Sequence, residues 1–266
     1  MSRVPQSVHA RQCMICLVAV SCIFIAIRAN PSADEKLPSA QWVLDRYAEV
    51  SGERAHLQQH LSMTVRGRYE DPANEIEAST ISYTTRDAVT LLRYHLTDGR
   101  SGASGFDGHT GTGWTLGLSG KVKLVTGNIA LSMARDADMY YHLHVMKYFK
   151  QMEVIDVEDF HGHICYHLKG TNNWDEPNQQ FYEKSSGLLI GYKFNTAWRG
   201  GNGAADNIFE DYKPFGGILF ATKLTGHDGN DMDITYTDQV TFDDVKPSDL
   251  EPPAAVKAKL AESSKQ

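Results

Sequence analysis

The stretch Leu61-Ser-Met-Thr-Val-Arg-Gly-Arg-Tyr-Glu70 alternates apolar and polar side chains along most of its length. In an extended chain Leu61, Met63, Val65 and Tyr69 lie on one side, and polar residues lie on the other. This period of two predicts a β-strand that buries one face only.

Comparable patterns recur at a spacing of about ten residues, and turn residues such as His161-Gly162 and Gly216-Gly217 separate them. Hairpin-like joins at this spacing indicate an antiparallel sheet. The further strands are predicted at 75–85, 89–96, 121–125, 151–160, 163–170, 178–184, 188–198, 206–213, 217–226 and 232–243.

Two segments show helical periodicity instead. One runs from 39 to 51, with Ser39 as the N-cap and Gly52 as the stop, and the other runs from Asn128 to about His144. A long sheet with one apolar face curls and needs a cover. We therefore predict an α+β fold: a curved antiparallel half-barrel of roughly ten or eleven strands, covered by two or more α-helices.

Residues 1–29 have the pattern of a secretory signal peptide. Arg3 and Arg11 form a basic start, and the uncharged run from Cys13 to Ile27 follows. Fifteen helical residues span about 22 Å, which is shorter than the roughly 30 Å hydrocarbon core. Because Arg28 lies directly before the expected cleavage site, an uncleaved N-terminal anchor remains an alternative. Residues 30–38 are predicted to be a linker.

Cys22 offers a second interpretation of this leader. The stretch Leu17-Val-Ala-Val-Ser-Cys22 loosely resembles a lipoprotein box, but Ala19 occupies the position of a large aliphatic residue. We therefore expect no lipidation and keep Cys22 as the alternative. Cys165 is the only cysteine after the leader, so no internal disulfide is expected.

The charge balance excludes one class of partner. The chain has 26 Lys+Arg and 33 Asp+Glu, and removing the leader's three arginines changes the net charge from −7 to −10. An acidic surface argues against nucleic-acid binding. We expect a domain over 39–253, a polar C-terminal tail over 254–266 and no transmembrane segment in the mature chain.

The segment from Ser39 to Pro253 resembles the LolA/LolB-like half-barrel family, in particular its outer membrane lipoprotein-sorting protein-like relatives. The motifs that carry the resemblance are Val43-Leu-Asp-Arg-Tyr-Ala-Glu-Val-Ser-Gly52, Gly105-Phe-Asp-Gly108 before Trp114, Phe181-Tyr-Glu-Lys-Ser-Ser-Gly-Leu-Leu-Ile190, Asp211-Tyr212 with Gly217, and Val240-Thr-Phe-Asp-Asp-Val-Lys-Pro-Ser-Asp-Leu250. The resemblance implies a half-barrel fold and export to the periplasm or the outer membrane.

Histidines provide the one candidate metal site. His161, His163 and His167 fall on one face if 161–167 is a strand, and two or three imidazoles could ligate Zn²⁺ or Cu. The alternative is a polar outer face interrupted by a turn at 161–163, which we favour. His142 and His144 do not share a helix face and are interpreted as surface or helix-end residues.

An apolar concave face is the remaining candidate site. Its predicted members are Leu61, Met63, Val65, Tyr94, Trp114, Phe181, Tyr236, Val240 and Phe242. The leading hypothesis is an exported, non-enzymatic protein that needs no cofactor and binds a lipid or the acyl part of a lipoprotein there. The alternatives are a periplasmic protein-interaction module with a filled core, whose partners would be envelope proteins, and a metal-dependent enzyme that uses the histidine-rich strand.

Overall fold

A computed structural model describes residues 36–195, 204–229 and 231–263 of the chain. Within these ranges thirteen strands form one sheet. They are β1 (Ser62–Asp71), β2 (Ile76–Thr85), β3 (Thr90–Leu96), β4 (Ser101–Asp107), β5 (Thr112–Leu116), β6 (Val122–Val125), β7 (Phe149–Phe160), β8 (His163–Asn172), β9 (Pro177–Glu183), β10 (Leu189–Asn195), β11 (Ala204–Phe215), β12 (Ile218–Asp228) and β13 (Asp231–Phe242).

The strand order is β6-β5-β4-β3-β2-β1-β13-β12-β11-β10-β9-β8-β7, and every neighbouring pair is antiparallel. The first and last strands of the chain therefore pair at the centre of the sheet, and β6 and β7 are its two edges. The predicted curved antiparallel sheet with helical cover is confirmed, although the strand count exceeds the expected ten or eleven.

The two additional strands lie in the glycine-rich segment between 101 and 116. Gly102 and Gly105 belong to β4, where the absence of a side chain is required by large neighbours. A Cβ on Gly102 would lie 2.1 Å from Tyr94 Oη, and one on Gly105 would lie 2.5 Å from Trp114 Cζ2. The two glycines therefore leave the space in which aromatic side chains of adjacent strands lie flat against the sheet, as glycines inside strands commonly do.

In the part of the chain that the structure describes, four α-helices accompany the sheet: α1 (Ala40–Val50), α2 (Glu53–His56), α3 (Gly127–Asp136) and α4 (Ala254–Ser263). Ser39 caps α1 as predicted, since its Oγ accepts a hydrogen bond from the backbone N–H of Trp42 at 3.2 Å. Gly52 follows the helix with φ +80°, which is a left-handed conformation that glycine adopts without strain.

The second predicted helix is shorter than expected. Helix α3 ends at Asp136, and two 3-10 turns, Tyr141–Leu143 and Val145–Tyr148, follow it. The carboxylate of Asp138 accepts hydrogen bonds from the backbone N–H of Tyr140 and from the Tyr148 hydroxyl. These local bonds replace the helical pattern of i to i−4 bonds and turn the chain towards β7.

The sheet carries apolar side chains on both faces. On the inner face, defined as the face that contacts α1, Val43, Leu44 and Tyr47 pack against Leu168 and Tyr182. On the opposite, outer face, α4 inserts Val256, which is fully buried, between strands of the β2–β6 half.

The segment 254–266 was expected to be a polar tail, and its residues 254–263 are instead helix α4. Val256 and Leu260 lie one turn apart on the helix and both pack on the cluster of Leu91, Ala103 and Trp114. In this alanine-rich helix, Val256 and Leu260 form the apolar stripe that packs on the sheet.

The predicted leader 1–29, including Cys22, lies outside the described residues, as does most of the linker. Within residues 36–195, 204–229 and 231–263, no helix combines the length and apolar character needed to cross a membrane.

Candidate functional site: an apolar groove on the inner face

Cross-strand pairs show which predicted residues share the inner face. Val65 lies opposite Val240 on β13 and opposite Ser82 on β2, and Met63 lies opposite Phe242. Tyr94 belongs to the same face because it pairs with Thr80, which in turn pairs with Gly67, two positions from Val65. The structure thus brings together five of the nine predicted residues: Met63, Val65, Tyr94, Val240 and Phe242.

Trp114 lies on the outer face and not on the inner one. It pairs with Gly105, which pairs with Leu91, and this row continues to Tyr83 and Thr64. Thr64 alternates with Met63 and Val65, so the whole row faces away from the groove. Trp114 is 3% exposed because α4 covers it.

Phe181 also lies on the outer face. Its neighbours Gln180 and Tyr182 face inwards, and Phe181 stacks on Phe160 with ring centroids 3.9 Å apart. Together with Cys165 and Ile190 these rings form a separate outer cluster. Sequence alternation within a strand does not reveal which face is inner when both faces carry apolar residues.

A β-bulge moves Tyr236 to the outer face. Arg66 pairs with Gln239, but the next residue, Gly67, pairs with Thr237, so Asp238 is an extra residue on β13. One extra residue reverses the alternation beyond it. Tyr236 therefore does not share a face with Val240 and Phe242, although all three occupy even positions.

Leu61 lies before the first residue of β1, and its side chain is 53% exposed. Its backbone N–H donates to Asp243 Oδ1 at 2.6 Å, which ties this residue to the end of β13. Leu61 therefore contributes to the strand entry and does not line the inner cavities described below.

A groove of about 420 Å³ runs over the inner face at β1, β2, β3 and β13. Its volume is in the range of pockets that bind small molecules. Apolar atoms predominate in its wall. The residues whose side chains face the groove are Val65, Tyr69, Ile76, Ala78, Thr80, Ser82, Leu92, Tyr94, Leu96, Leu118, Thr235 and Thr237. Tyr236 also borders the groove, although its side chain lies on the outer face.

The groove ends at a pair of acids. Asp71 lies two positions after Tyr69 on β1, and Asp233 lies two positions before Thr235 on the antiparallel β13, so both are on the inner face next to the pair Tyr69–Thr235. Burial and the neighbouring charge of Asp71 raise the pKa of Asp233 above its usual value. Burial, Asp233 and Asp71 also raise the pKa of Tyr69 to about 12. This end of the groove is therefore unfavourable for an anion.

A second cavity of about 390 Å³ lies beside the groove, under α1 and α2. Met63 lines this cavity and Val65 lines the groove, so the two spaces adjoin along β1. Its wall is richer in polar groups and contains the tyrosines Tyr47, Tyr141, Tyr182, Tyr192 and Tyr212.

Glu53 and the partly exposed His142 form a pair at one side of the second cavity. Glu53 is 6% exposed, and its Oε1 lies 2.9 Å from His142 Nδ1. Burial alone lowers the pKa of His142, but the charge of Glu53 and this hydrogen bond outweigh it and raise the pKa. His142 was interpreted from sequence as a surface or helix-end residue, and nothing local indicates a partner 89 positions away.

The three histidines that were considered as an alternative metal site lie opposite separate carboxylates. His161 Nε2 faces Asp206 at 3.0 Å, His163 Nδ1 faces Glu183 at 2.8 Å, and His167 faces other carboxylates. His161 and Gly162 form the turn between β7 and β8, with φ +50° and +88°, and His163 is the first residue of β8.

Cys165 is fully buried between these histidines on β8. Burial, together with Glu183, Asp159 and Glu158, raises the pKa of its thiol to about 12. Because the thiolate is the reactive and metal-binding form, this cysteine is an inert part of the outer cluster.

Comparison with known proteins bears on the fold. No protein-family model matches the chain, and no curated protein matches it in sequence. Among solved structures, a LolA superfamily protein from Nitrosomonas europaea is similar with a TM-score of 0.54 and 13% identity, over 81% of this chain and 99% of that chain. The chain shares the LolA-like fold.

A DUF1329 family protein from Desulfovibrio piger is similar to the same extent. Its TM-score is 0.54 at 10% identity, and the match covers 79% of this chain and 96% of that chain. At identities of 10–13% this similarity shows a shared fold only. The function of this chain depends on the residues of its own sheet and groove.

Proposed function

We propose that this protein is an exported, non-enzymatic carrier that binds a lipid, or the acyl part of a lipoprotein, in the inner-face groove. The single observation that carries the proposal is the groove of about 420 Å³ with its predominantly apolar wall. The predicted leader at 1–29 and the LolA-like fold support a periplasmic or outer-membrane-associated location.

Burial of apolar surface would supply the affinity. Each methylene that moves from water into an apolar environment contributes about 0.8 kcal/mol, so an acyl chain gains binding energy without a specific polar contact. Val65, Leu92 and Leu96 provide such an environment, and Tyr94 covers Gly102 at one side of the groove.

The acidic end refines the ligand class. A free fatty acid would place its carboxylate near Asp71 and Asp233 if its head group lay at that end. An ester- or amide-linked acyl chain, as in an acylglycerol or an acylated polypeptide, carries no such charge. We therefore expect neutral acyl ligands to bind more tightly than anionic ones.

The test is displacement of an environment-sensitive fluorescent acyl probe by a monoacylglycerol, measured for the wild type and for Val65→Phe. The larger ring occupies the groove, so we expect saturable binding by the wild type and a loss of binding of at least about tenfold in the variant. The open space should let the variant keep its melting temperature, whereas overpacking of a filled core costs about 1–3 kcal/mol.

Ile81→Phe is the matched control, because Ile81 pairs with Arg66 and Arg93 on the outer face of the same strands. It should bind the probe like the wild type. Absence of probe uptake by the wild type, together with a destabilised Val65→Phe, would contradict the carrier function and favour an interaction module with a filled core.

A further inference from the structure

A cluster of three metal-ligating side chains lies on the outer face, away from both cavities. It consists of Asp156 and Glu158 on β7 and His167 on β8, and their ligand atoms lie within 4.8 Å of one another. This set differs from the three histidines that the sequence offered as an alternative metal site and shares only His167 with them.

A bulge in β7 places the two carboxylates. Val154 pairs with Leu168 and Asp156 pairs with His167, so Ile155 is an extra residue between them. Beyond the bulge, Asp156 and Glu158 alternate onto the outer face and lie on either side of the imidazole. Their oxygens are 3.2 and 3.0 Å from His167 Nδ1.

The environment of His167 is the decisive observation. The residue is 7% exposed, its ring stacks on Phe181 at 4.6 Å, and its Nε2 lies 2.9 Å from Gln179 Oε1. Nε2–H therefore donates to Gln179, and this bond fixes the ring. The other ring nitrogen, Nδ1, is buried and has no hydrogen-bond partner among the described residues.

A buried Nδ1 lone pair beside two carboxylates is unfavourable unless a cation lies between them. A proton on Nδ1 would be one such cation, but neither carboxylate oxygen meets hydrogen-bond geometry with this nitrogen. Among the described residues, neither carboxylate forms an ion pair with a lysine or arginine. Acidic side chains on an edge strand protect it from pairing with other chains, yet that role does not require a buried imidazole aimed at them.

We propose that Asp156, Glu158 and His167 bind one divalent transition-metal ion of the zinc class. One imidazole nitrogen and two carboxylate oxygens are a ligand set that Zn²⁺ accepts, and it binds them at about 2.0–2.2 Å. Two ligand atoms on the same Zn²⁺ are at most roughly 4.4 Å apart. Because the three ligand atoms here already lie within 4.8 Å of one another, a small rotation of the partly exposed carboxylates brings them all within reach of one ion. The exposed side leaves room for water as a further ligand.

The position of the site points to a structural role. Edge strand β7 has only β8 as a neighbour in the sheet, and the ion would join these two strands at the point where the bulge interrupts their pairing. The site is independent of the acyl groove, and its test does not involve lipid binding.

The experiment is titration of EDTA-treated protein with Zn²⁺ by calorimetry, followed by thermal melts with and without Zn²⁺. We expect one Zn²⁺ per chain and a rise in melting temperature, because a ligand that binds only the folded state stabilises it. The double variant Asp156→Asn/Glu158→Gln should keep the fold and lose more than about tenfold in affinity.

Glu153→Gln is the control, since Glu153 is an exposed acid on the same strand before the bulge. It should bind Zn²⁺ like the wild type. Co²⁺ substitution gives a second readout: its visible spectrum should report nitrogen and oxygen ligands in the wild type and change in the double variant. Absence of stoichiometric binding, preference for Ca²⁺ over Zn²⁺, or unchanged binding by the double variant would overturn the proposal.

Discussion

The guanidinium of Arg68 lies over the ring of Tyr236, 4.6 Å from its centroid, on the outer face at the junction of β1 and β13. The contact exists because Asp238 is an extra residue on β13, which turns Tyr236 away from Val240. The side chain of Asp238 in turn accepts a hydrogen bond from Arg68 Nε at 3.2 Å.

The bulge can be tested by deleting its extra residue. Deletion of Asp238 forces residues 231–237 to slip by one position against β1 or β12, which reverses their faces. We expect a loss of stability of more than about 3 kcal/mol by urea denaturation. Asp238→Ala keeps the register and should change the melting temperature little, and equal effects of the two changes would contradict the bulge.

The second prediction concerns helix α4. Val256 is fully buried against the cluster of Leu91, Ala103 and Trp114, so Val256→Ala should lower the free energy of unfolding by about 1.5–3 kcal/mol. Tryptophan fluorescence should shift to longer wavelength as Trp114 gains contact with water. Lys259→Ala on the exposed side of the same helix is the control, and a similar loss there would argue against docking.

The pair of Glu53 and His142 makes stability depend on pH. Because the folded-state pKa of His142 is raised, its contribution is fully present below the unfolded pKa of about 6.5 and is lost as pH rises through the folded pKa. Urea melts from pH 5.5 to 8.5 should therefore show a decline in stability in the wild type that is smaller in His142→Gln.

Exposed His95 serves as the comparison for this measurement. His95→Gln should retain the pH dependence of the wild type. If His142→Gln retained it as well, the decline would have a source other than the pair of Glu53 and His142.

The acidic end of the groove predicts a preference among acyl ligands. The wild type should bind a monoacylglycerol more tightly than a fatty acid of equal chain length. The double variant Asp71→Asn/Asp233→Asn should bind the fatty acid more tightly than the wild type does, which reduces the difference in affinity between the two ligands. Competition with one fluorescent acyl probe measures both. Glu77→Gln removes a charge from the outer face of β2 and should leave the preference unchanged; an unaltered preference in the double variant would show that the head group lies elsewhere.

Local pattern predicted the elements whose alternation is regular. The first strand follows the period of two from Ser62 onwards, and the helix cap at Ser39 forms as its sequence indicates. Strands β4 and β5 escaped prediction because glycine lowers strand propensity, whereas here Gly102 and Gly105 are required by Tyr94 and Trp114 on neighbouring strands.

The candidate site was predictable only in part, for a related reason. Alternation correctly predicts that Met63 and Val65 share one face of β1. The bulge at Asp238 has no clear local signal in the sequence, so the face of Tyr236 could not be predicted. A sheet that is apolar on both sides also leaves the choice of face open, which is why Trp114 and Phe181 were misplaced. The pairs Glu53–His142 and Asp156–His167 depend on tertiary contacts that pattern alone does not specify.

The pairing of β1 with β13 has a consequence for how the chain folds. Strands β1 to β6, and strands β7 to β13, are each joined by short connections, so each half can form from contacts between near neighbours. Only the central ladder, in which Met63 meets Phe242, requires the two ends of the domain to find each other. Contacts between residues so distant in sequence slow folding, because loop closure must come before they form. We therefore expect the joining of the two half-sheets to limit the folding rate. The complete thirteen-stranded sheet can form only after β13 has been synthesised and can pair with β1.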